Sequence, residues 1–398
     1  MVAAVTALRQ SSAPLVHRSG RRFLPVLPTL RLRMLTPRLR AEPLPFPLSD
    51  PGACSYYFAR NGIWQGARML GLAGREVLVP AYHHGVEVEA LEAVGAVPRF
   101  IRVDGRMRLD LEHLEARIGP RVGALYVIHY LGFPQPMEEI LAIARRHGLP
   151  VIEDCALSAL SSDGNVPLGS RGDIAIFCLY KSLPVPNGGL LVLNRPARDG
   201  ADSVGPTRGA PLASTLSHAA GSLLAHVALR HGESGAAMRG SLRRAGRAVR
   251  SLTGARALST GTMHFDPSAA EIGMSRLSRL VLENLEFEAI VAARRRNFSL
   301  LLARLQGVAA PIASHLPAGV CPLFYPLLCP DKRSAAVKLA ACGIETVDFW
   351  SQGHPACAAE AFPEVEALRR QVLELPLHQD LTPEDMAYLA SAVEEVLS

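Results

Sequence analysis

From residue 58 onward the chain alternates two kinds of hydrophobic pattern. Apolar runs of strand length occur at EVLVPA (76–81), VPRFIRV (97–103), ALYVIHYL (124–131), PVIEDC (150–155), IAIFCLY (174–180) and GGLLVLN (188–194). Between them lie helical patterns: GIWQGARMLGL, opened by Asn61-Gly62, then GVEVEALEAVG and LDLEHLEARIG. A further helix places Met137, Ile140, Leu141 and Ala144 on one face. Glu138 and Glu139 fall in its first turn, Arg145 and Arg146 in its last, and Gly148 follows as a stop, so its charges complement the helix dipole. Strands alternating with helices predict an α/β chain: a mostly parallel sheet sandwiched by helices. In such sheets a ligand sits beyond the carboxyl ends of the strands.

The rest of the chain is less periodic. Residues 195–265 are rich in Gly, Ala, Ser and Arg; within them MRGSLRRAGRAVRSL has the pattern of a basic amphipathic helix, with Leu242, Ala245, Val249 and Leu252 on one side. A long helix is predicted from about 275 to 306, and 315–398 reads as a small α+β unit closing with a capping box at Thr382-Pro383-Glu384-Asp385. The expected organisation is a basic, disordered arm over 1–45, a large domain over 46–265 with 195–265 as a divergent insertion, and 266–398 carrying the long helix and a smaller C-terminal α+β domain.

Charge and cysteine content narrow the function. Of 398 residues 42 are basic and 36 acidic, yet the excess lies in one place: residues 1–41 hold eight Arg and no acid. The remaining 34 basic residues face 36 acidic ones, so the body is near neutral and carries no nucleic-acid footprint. The opening segment also has the composition of a targeting peptide, and Met34 is an alternative start. No run of uncharged apolar residues approaches the roughly 18 of a membrane span, so no transmembrane segment is expected. Seven scattered cysteines without a C-x-x-C pair or a zinc-spaced His cluster point to reduced thiols, a cytoplasmic location and no metal site.

The basic residues are 39 Arg and three Lys. Arg carries charge but cannot serve as an amine nucleophile, so a lysine kept against this bias is a candidate for chemistry. Lys332 and Lys338 fall at a helical pattern where solvated surface is expected. Lys181 instead follows the strand-like run IAIFCLY, and Asp154 lies at the end of the strand in PVIEDC, one residue before Cys155. An amine and a carboxylate thus stand where a parallel sheet holds its ligand, although a plain salt bridge would read the same way.

The segments REVLVPAYHHGVEVEALEAVGAVPRFIRVD, YVIHYLGFPQPMEEILAIARRHGLPVIEDCA, PLGSRGD, LYKSLPVPNGG and LPLHQDLTPEDM together resemble the DegT/DnrJ/StrS family of sugar aminotransferases. The resemblance covers 58–195 clearly and 270–398 more loosely. It implies the type I fold of pyridoxal-phosphate (PLP) transferases and a homodimer with shared active sites. It also implies a reaction moving an amino group from an amino acid, glutamate in the usual case, to a nucleotide-linked keto sugar, as in polysaccharide biosynthesis. By the same resemblance Lys181 is the catalytic lysine that carries PLP, Asp154 partners the ring nitrogen, and His84 stacks on the ring, with Tyr82 as the other flat candidate. The helix start at Asn61, Gly62 and Ile63 takes the phosphate, and Cys178 occupies the place of a phosphate-binding serine.

The sequence departs from the family at several of these places. Asn61-Gly62-Ile63 stands for S-G-T, Leu157 for the usual Gln, and Asn187-Gly188-Gly189 for G-E-G-G. Two competing readings follow. One is a sugar dehydratase on the same scaffold, against which the retained Lys181 counts. The other is a degenerate member kept for a regulatory or binding role. His129, Arg276 and Asn297 are read as packing or surface residues rather than as site residues.

Overall fold

A computed structural model describes residues 22–37, 40, 42–195, 205–253, 258, 262, 264–348 and 350–398. The strands in chain order are β1 (Ala53–Tyr56), β2 (Glu76–Pro80), β3 (Val97–Ile101), β4 (Val122–Ile128), β5 (Val151–Cys155), a short hairpin β6 (Ser162–Asp163) and β7 (Val166–Pro167), β8 (Ile174–Cys178), β9 (Gly189–Leu193), β10 (Tyr325–Leu328) and β11 (Val372–Leu375). The helices are α1 (Ala59–Met69), α2 (Val86–Glu92), α3 (Leu111–Ala116), α4 (Met137–His147), α5 (Leu179–Ser182), α6 (Leu212–Thr253), α7 (Arg276–Glu283), α8 (Phe287–Leu305), α9 (Lys332–Ala341), α10 (Pro363–Gln371) and α11 (Pro383–Leu397).

Seven strands form one sheet in the order β1-β9-β8-β5-β4-β2-β3. Neighbours pair in parallel except where β9 meets β1 and β8, so β9 alone runs against the rest. Its partner β8 is joined to it by a connection of ten residues, short enough for a reversal but not for a crossover. Strands β5 and β8 are buried at every position, as a sheet covered on both faces requires. Helix α1 lies against β8 and β9 through Gly62 and Gly66, where a side chain would strike Leu191 and Ile174. The second sheet pairs β10 with β11; α8, α9 and α11 pack on it around a core that includes Phe298, Leu339, Leu373, Leu375 and Leu389. The predicted capping box at Thr382 and Asp385 forms.

Several elements differ from the sequence reading. The run IAIFCLY ends as a strand at Cys178, and Leu179–Ser182 turns helical, which puts Lys181 in a helical turn. Helix α1 opens at Ala59, two residues before the predicted Asn61. The predicted 275–306 helix is two helices: Asn284 bonds back through Nδ2 to the Leu280 carbonyl at 2.8 Å, ending α7. Arg40 then donates to the freed Leu285 carbonyl at 2.8 Å. The weakly periodic 195–265 region holds a 42-residue helical run, broken only at Gly232 (φ 57°). The side chains of Leu242, Ala245, Val249 and Leu252, expected on one face of its second half, lie outside the described residues.

Part of α6 bears on the expectation of no transmembrane segment. Leu212–Gly232 qualifies as one by length and composition alone, because its only charged residue is Arg230 although Ser, His and Gly interrupt every apolar run. Here it is tied to the body: Asn187 donates to Thr215 at 3.3 Å, the Leu30 amide to Ser222 at 2.8 Å, and His226 meets Thr29 at 2.9 Å.

The expected disordered arm is corrected as well. From residue 22 it runs along α6 and the C-terminal unit with Leu24 and Leu30 fully buried. Leu24 exchanges backbone bonds with Gly343 and Glu345, and Asp380 accepts from the Thr29 amide and from Arg31. Burying two leucines outweighs the ordering entropy that the polar, Pro-rich composition suggests would win.

Candidate active site

Asp154 is the penultimate residue of β5, and Lys181 lies three residues past the end of β8, the neighbouring strand. The parallel pairing of β5 with β8 brings the two carboxyl ends together, so that Lys181 acts electrostatically on Asp154. The Asp154 carboxylate is 5% exposed, accepting from the Tyr126 hydroxyl at 2.7 Å and from the Ala156 amide at 2.8 Å. Burial raises its pKa; the two hydrogen bonds and the Lys181 ammonium pull the other way.

Glu153, one residue earlier, points to the opposite face and fixes the frame. Its carboxylate accepts from the amides of Gly169 at 2.9 Å, of Arg171 at 2.8 Å and of Gly172, and from His129 Nε2 at 3.1 Å. Burial opposes this charge, but His129 and the amides outweigh it and hold the group below its ordinary value. The Gln135 amide donates to His129 Nδ1 at 3.0 Å, so the imidazole is a bridge with both nitrogens engaged. The His129–Glu153–Cys155 trio has its donor atoms within 4.8 Å of one another, yet these bonds give it a structural occupation. Gly169 stands at φ +88° with Phe177 where a Cβ would go, which explains the PLGSRGD segment locally.

The two histidines after β2 separate cleanly. His83 is fully buried, stacks on Phe100 at 5.1 Å between centroids, donates to the Pro80 carbonyl and accepts the His354 amide. His84 faces the site, with the edge of Trp350 6.4 Å away. Burial, then the charges of Lys181 and Arg60, drives the His84 pKa down to about 3, so its ring is neutral. Glu87 accepts the His84 and Gly85 amides at 2.8 and 3.0 Å and thereby sets the bend. Tyr82 is not at the site mouth; it is buried between Tyr130 and Trp350.

The helix-start residues do different work from that expected. Asn61 is buried and its Nδ2 donates to the Ala269 carbonyl at 2.9 Å, while Gly62 and Ile63 pack toward the sheet. Because α1 opens at Ala59, the amides left without intrahelical partners belong to residues before Gly62. Cys178 is 1% exposed and bonds with the Tyr180 hydroxyl; burial raises its thiol pKa. Asn187 is a buried hub rather than a site residue, bonding Ser275, Ser278 and Thr215. Asn297, fully buried, donates to the carbonyls of Leu377, His378 and Leu381, and Arg276 is exposed.

Two groups at the site, and one lysine outside it, escape the sequence reading. Tyr126 is hidden within an apolar strand. Arg60 lies in the first turn of α1 with its guanidinium 3.8 Å from the Phe58 ring, in the field of Tyr180 and Cys178. A cation at a helix N-terminus opposes the dipole, and that was the available signal. Lys332, expected at the surface, is 5% exposed and paired with Asp348 at 2.6 Å, whereas Lys338 is exposed.

Residues 62–202 match the DegT/DnrJ/EryC1/StrS aminotransferase family. Over 110 residues the chain is 40% identical to a UDP-N-acetyl-3-dehydro-alpha-D-glucosamine 3-aminotransferase of Acidithiobacillus ferrooxidans; this is 27% of the chain and spans 30% of that protein's length. The fold is similar to the aminotransferase TlmJ of Streptoalloteichus hindustanus, with TM-score 0.61 and 21% identity over 87% of this chain and 86% of that one. It is also similar to the putative sugar aminotransferase Spr1654 of Streptococcus pneumoniae in its PMP-form, with TM-score 0.67 and 14% identity over 94% and 97%. These structures establish the fold class as that of sugar aminotransferases. Residues 62–202, which carry the match to the DegT/DnrJ/EryC1/StrS aminotransferase family, include His84, Asp154 and Lys181.

Proposed function

We propose that this protein is a PLP-dependent aminotransferase that moves an amino group from glutamate to a keto sugar attached to a nucleotide, working as a cytoplasmic homodimer. The observation that carries this reading is the buried Asp154 carboxylate, held by two donors, in the field of the Lys181 amine at the carboxyl ends of adjacent parallel strands. The 40% identity to a nucleotide-sugar 3-aminotransferase supports the acceptor class.

The residues fit the cofactor. A carboxylate desolvated and held by two hydrogen bonds suits a protonated pyridine nitrogen, and Asp154 would hold it. His84 would lie against the ring as a neutral imidazole, with Glu87 fixing its backbone. The open end of α1 and the Arg60 cation would receive the phosphate in place of the hydroxyls the sequence lacks. When bound, PLP supplies an electrophilic aldehyde and an electron sink that makes the donor's α-proton removable.

What the chain adds is positioning and proton handling. Lys181 Nζ would act as general base and acid, taking the proton from the donor's α-carbon and returning it two bonds away. The turn bearing it is held from behind: Arg294 Nη2 donates to the Ser182 carbonyl at 2.8 Å, and Gln379 donates to the same oxygen at 3.3 Å. The core around Tyr82, Tyr130 and Trp350 would exclude water on one side.

The test is the donor half-reaction. Protein loaded with PLP and given glutamate without acceptor is expected to release about one equivalent of 2-oxoglutarate per site and stop. Release of none, with cofactor retained, would remove glutamate as donor; failure to hold PLP at all would favour the non-catalytic alternative.

A further inference from the structure

The first half of α6 is built the wrong way round for a helix bounded by water. At 3.6 residues per turn, Leu212, Leu216, Ala220 and Val227 share one stripe, while Ser214, Thr215, Ser222 and His226 lie outside it, on the side toward the body. A helix on the surface of a soluble protein ordinarily buries its apolar side and gives its polar side to water. Here the polar side is turned inward and satisfied there. Ser214 and Thr215 are buried and accept from the Leu258 amide at 2.9 Å and from Asn187 at 3.3 Å. Ser222 accepts the Leu30 amide at 2.8 Å, and His226 meets the Thr29 hydroxyl at 2.9 Å. The apolar stripe faces out: Leu212 is 71% exposed, Leu216 is 53% exposed, and Ala213 and Ala220 are exposed with them. Leu32, two residues past the Leu30 that bonds to Ser222, is 74% exposed.

The charge of α6 has one sign. Arg230 is exposed and falls on the same stripe as Leu212 and Leu216, at the end of the first half. Beyond the break at Gly232 the sequence brings Arg239, Arg243, Arg244, Arg247 and Arg250 against a single acid, Glu233. Arg239 is engaged by Glu345 at 2.7 Å. Gly235 abuts the backbone of Val227 and Ala228, so the basic stretch begins close beside the apolar one. An outward apolar stripe with a run of Arg next to it is complementary to a layer that is apolar within and anionic at its surface. Helix α6 contains no Phe, Tyr or Trp, the residues that anchor the centre of a contact between proteins. A bilayer asks for area and charge rather than for a shaped pocket. A crossing orientation does not fit, because the polar side chains bonded to the body would have to leave those partners inside hydrocarbon.

We propose that the outer side of α6 is a docking surface for an anionic lipid bilayer. The helix lies in the plane of the interface: Leu212, Leu216 and Ala220 enter the boundary between headgroups and acyl chains, and the Arg-rich stretch supplies the charge that draws it to the headgroups. The body stays on the aqueous side, held to the helix by the bonds of Ser214, Thr215, Ser222 and His226. The surface belongs to an element that carries neither Lys181 nor Asp154, and it does not depend on the cofactor reading.

Full-length protein, mixed with sucrose-loaded vesicles and pelleted, tests this. The vesicles are phosphatidylcholine alone, or phosphatidylcholine with phosphatidylglycerol as the anionic component. Wild type is expected to partition roughly tenfold more strongly onto the anionic vesicles. That preference should fade between about 0.1 M and about 1 M salt, as the screening length falls from about 10 Å to about 3 Å. Leu212→Ser combined with Leu216→Ser is expected to lower partition onto anionic vesicles about tenfold, since two exposed leucines no longer leave water. Both positions are exposed, so this variant keeps the fold, which circular dichroism checks. Arg243→Gln combined with Arg244→Gln is expected to lose about as much. Equal partition onto both kinds of vesicle, or onto neither, overturns the proposal. So does a leucine variant that pellets like wild type, which would mark a contact made by charge alone. A leucine variant that turns a dimer into a monomer in solution, measured by light scattering, would assign the face to a second copy of the chain and overturn it as well. No PLP enters this measurement, so its failure and the failure of the aminotransferase reading are separate results.

Discussion

The Tyr126 hydroxyl donates to one oxygen of the Asp154 carboxylate across 2.7 Å, and the Ala156 amide donates to the other at 2.8 Å. Tyr126 sits on β4, beside β5, so its ring spans the gap between strands and its oxygen arrives at the strand end where the ligand is expected. Removing that hydroxyl takes away a hydrogen bond to a charged group, worth about 1.5–3 kcal/mol. Tyr126→Phe should therefore weaken PLP retention by about ten- to a hundredfold, measured by absorbance titration of the protein with PLP. An unchanged affinity would mean that Asp154 does not hold the cofactor.

Arg294 is 1% exposed and reaches the carbonyls of Ser182, Pro322 and Leu323 at 2.8, 3.2 and 3.0 Å, and Gln379 Oε1 at 2.9 Å. Arg294→Met fills much of the volume but leaves these acceptors without donors. The expected loss is about 3–5 kcal/mol by urea unfolding, the range for breaking a buried charged network. A loss under about 1 kcal/mol would show that water replaces the guanidinium and that the Lys181 turn is not held from behind.

The segment before Met34 is expected to be part of the fold. A chain beginning at Met34 would lose the fully buried Leu24 and Leu30, each worth about 1.5–3 kcal/mol on burial. Asp380 would also lose the Thr29 amide and Arg31. Comparing denaturation midpoints of the full and shortened chains checks this. Equal midpoints would contradict the packing described here.

His378 links that segment to the C-terminal unit. Its Nε2 donates to the Pro25 carbonyl at 2.8 Å and its Nδ1 accepts the Asp380 amide at 3.3 Å, so the imidazole is satisfied only when neutral. Burial depresses its pKa to about 4 from 6.5. The folded chain then binds fewer protons here than the unfolded one between those values. The resulting stability is full above about 6.5 and is lost as pH falls toward 4. His378→Gln is expected to make stability less steeply pH-dependent in that window by about one proton, with no change in slope above pH 7. An identical slope in the two proteins would place the titrating group elsewhere.

How much of this was legible in the sequence depended on whether the signal was local. Asp154 and Lys181 could be found because each follows an apolar run of strand length, and because Lys181 is one of only three lysines. The dipole-matched ends of α4 and the capping box of α11 are likewise written within a few residues. Tyr126 was hidden by tertiary context, since it sits inside an apolar strand that reads as core. The first half of α6 was missed because Ser, His and Gly interrupt its apolar runs, and the break after α7 because a side-chain bond by Asn284 ends it. The structured segment from residue 22 was misread because its apolar residues are few, and only packing shows that they are buried.

The most direct measurement is the visible absorption spectrum of purified protein after PLP is added and the excess removed, for wild type and Lys181→Ala. The wild type is expected to keep a visible band that changes when glutamate is added, and Lys181→Ala to lack that starting band while remaining folded. A wild type that keeps no band at high PLP, or a Lys181→Ala protein with an unaltered band, would contradict the assignment of Lys181 as the residue that carries the cofactor.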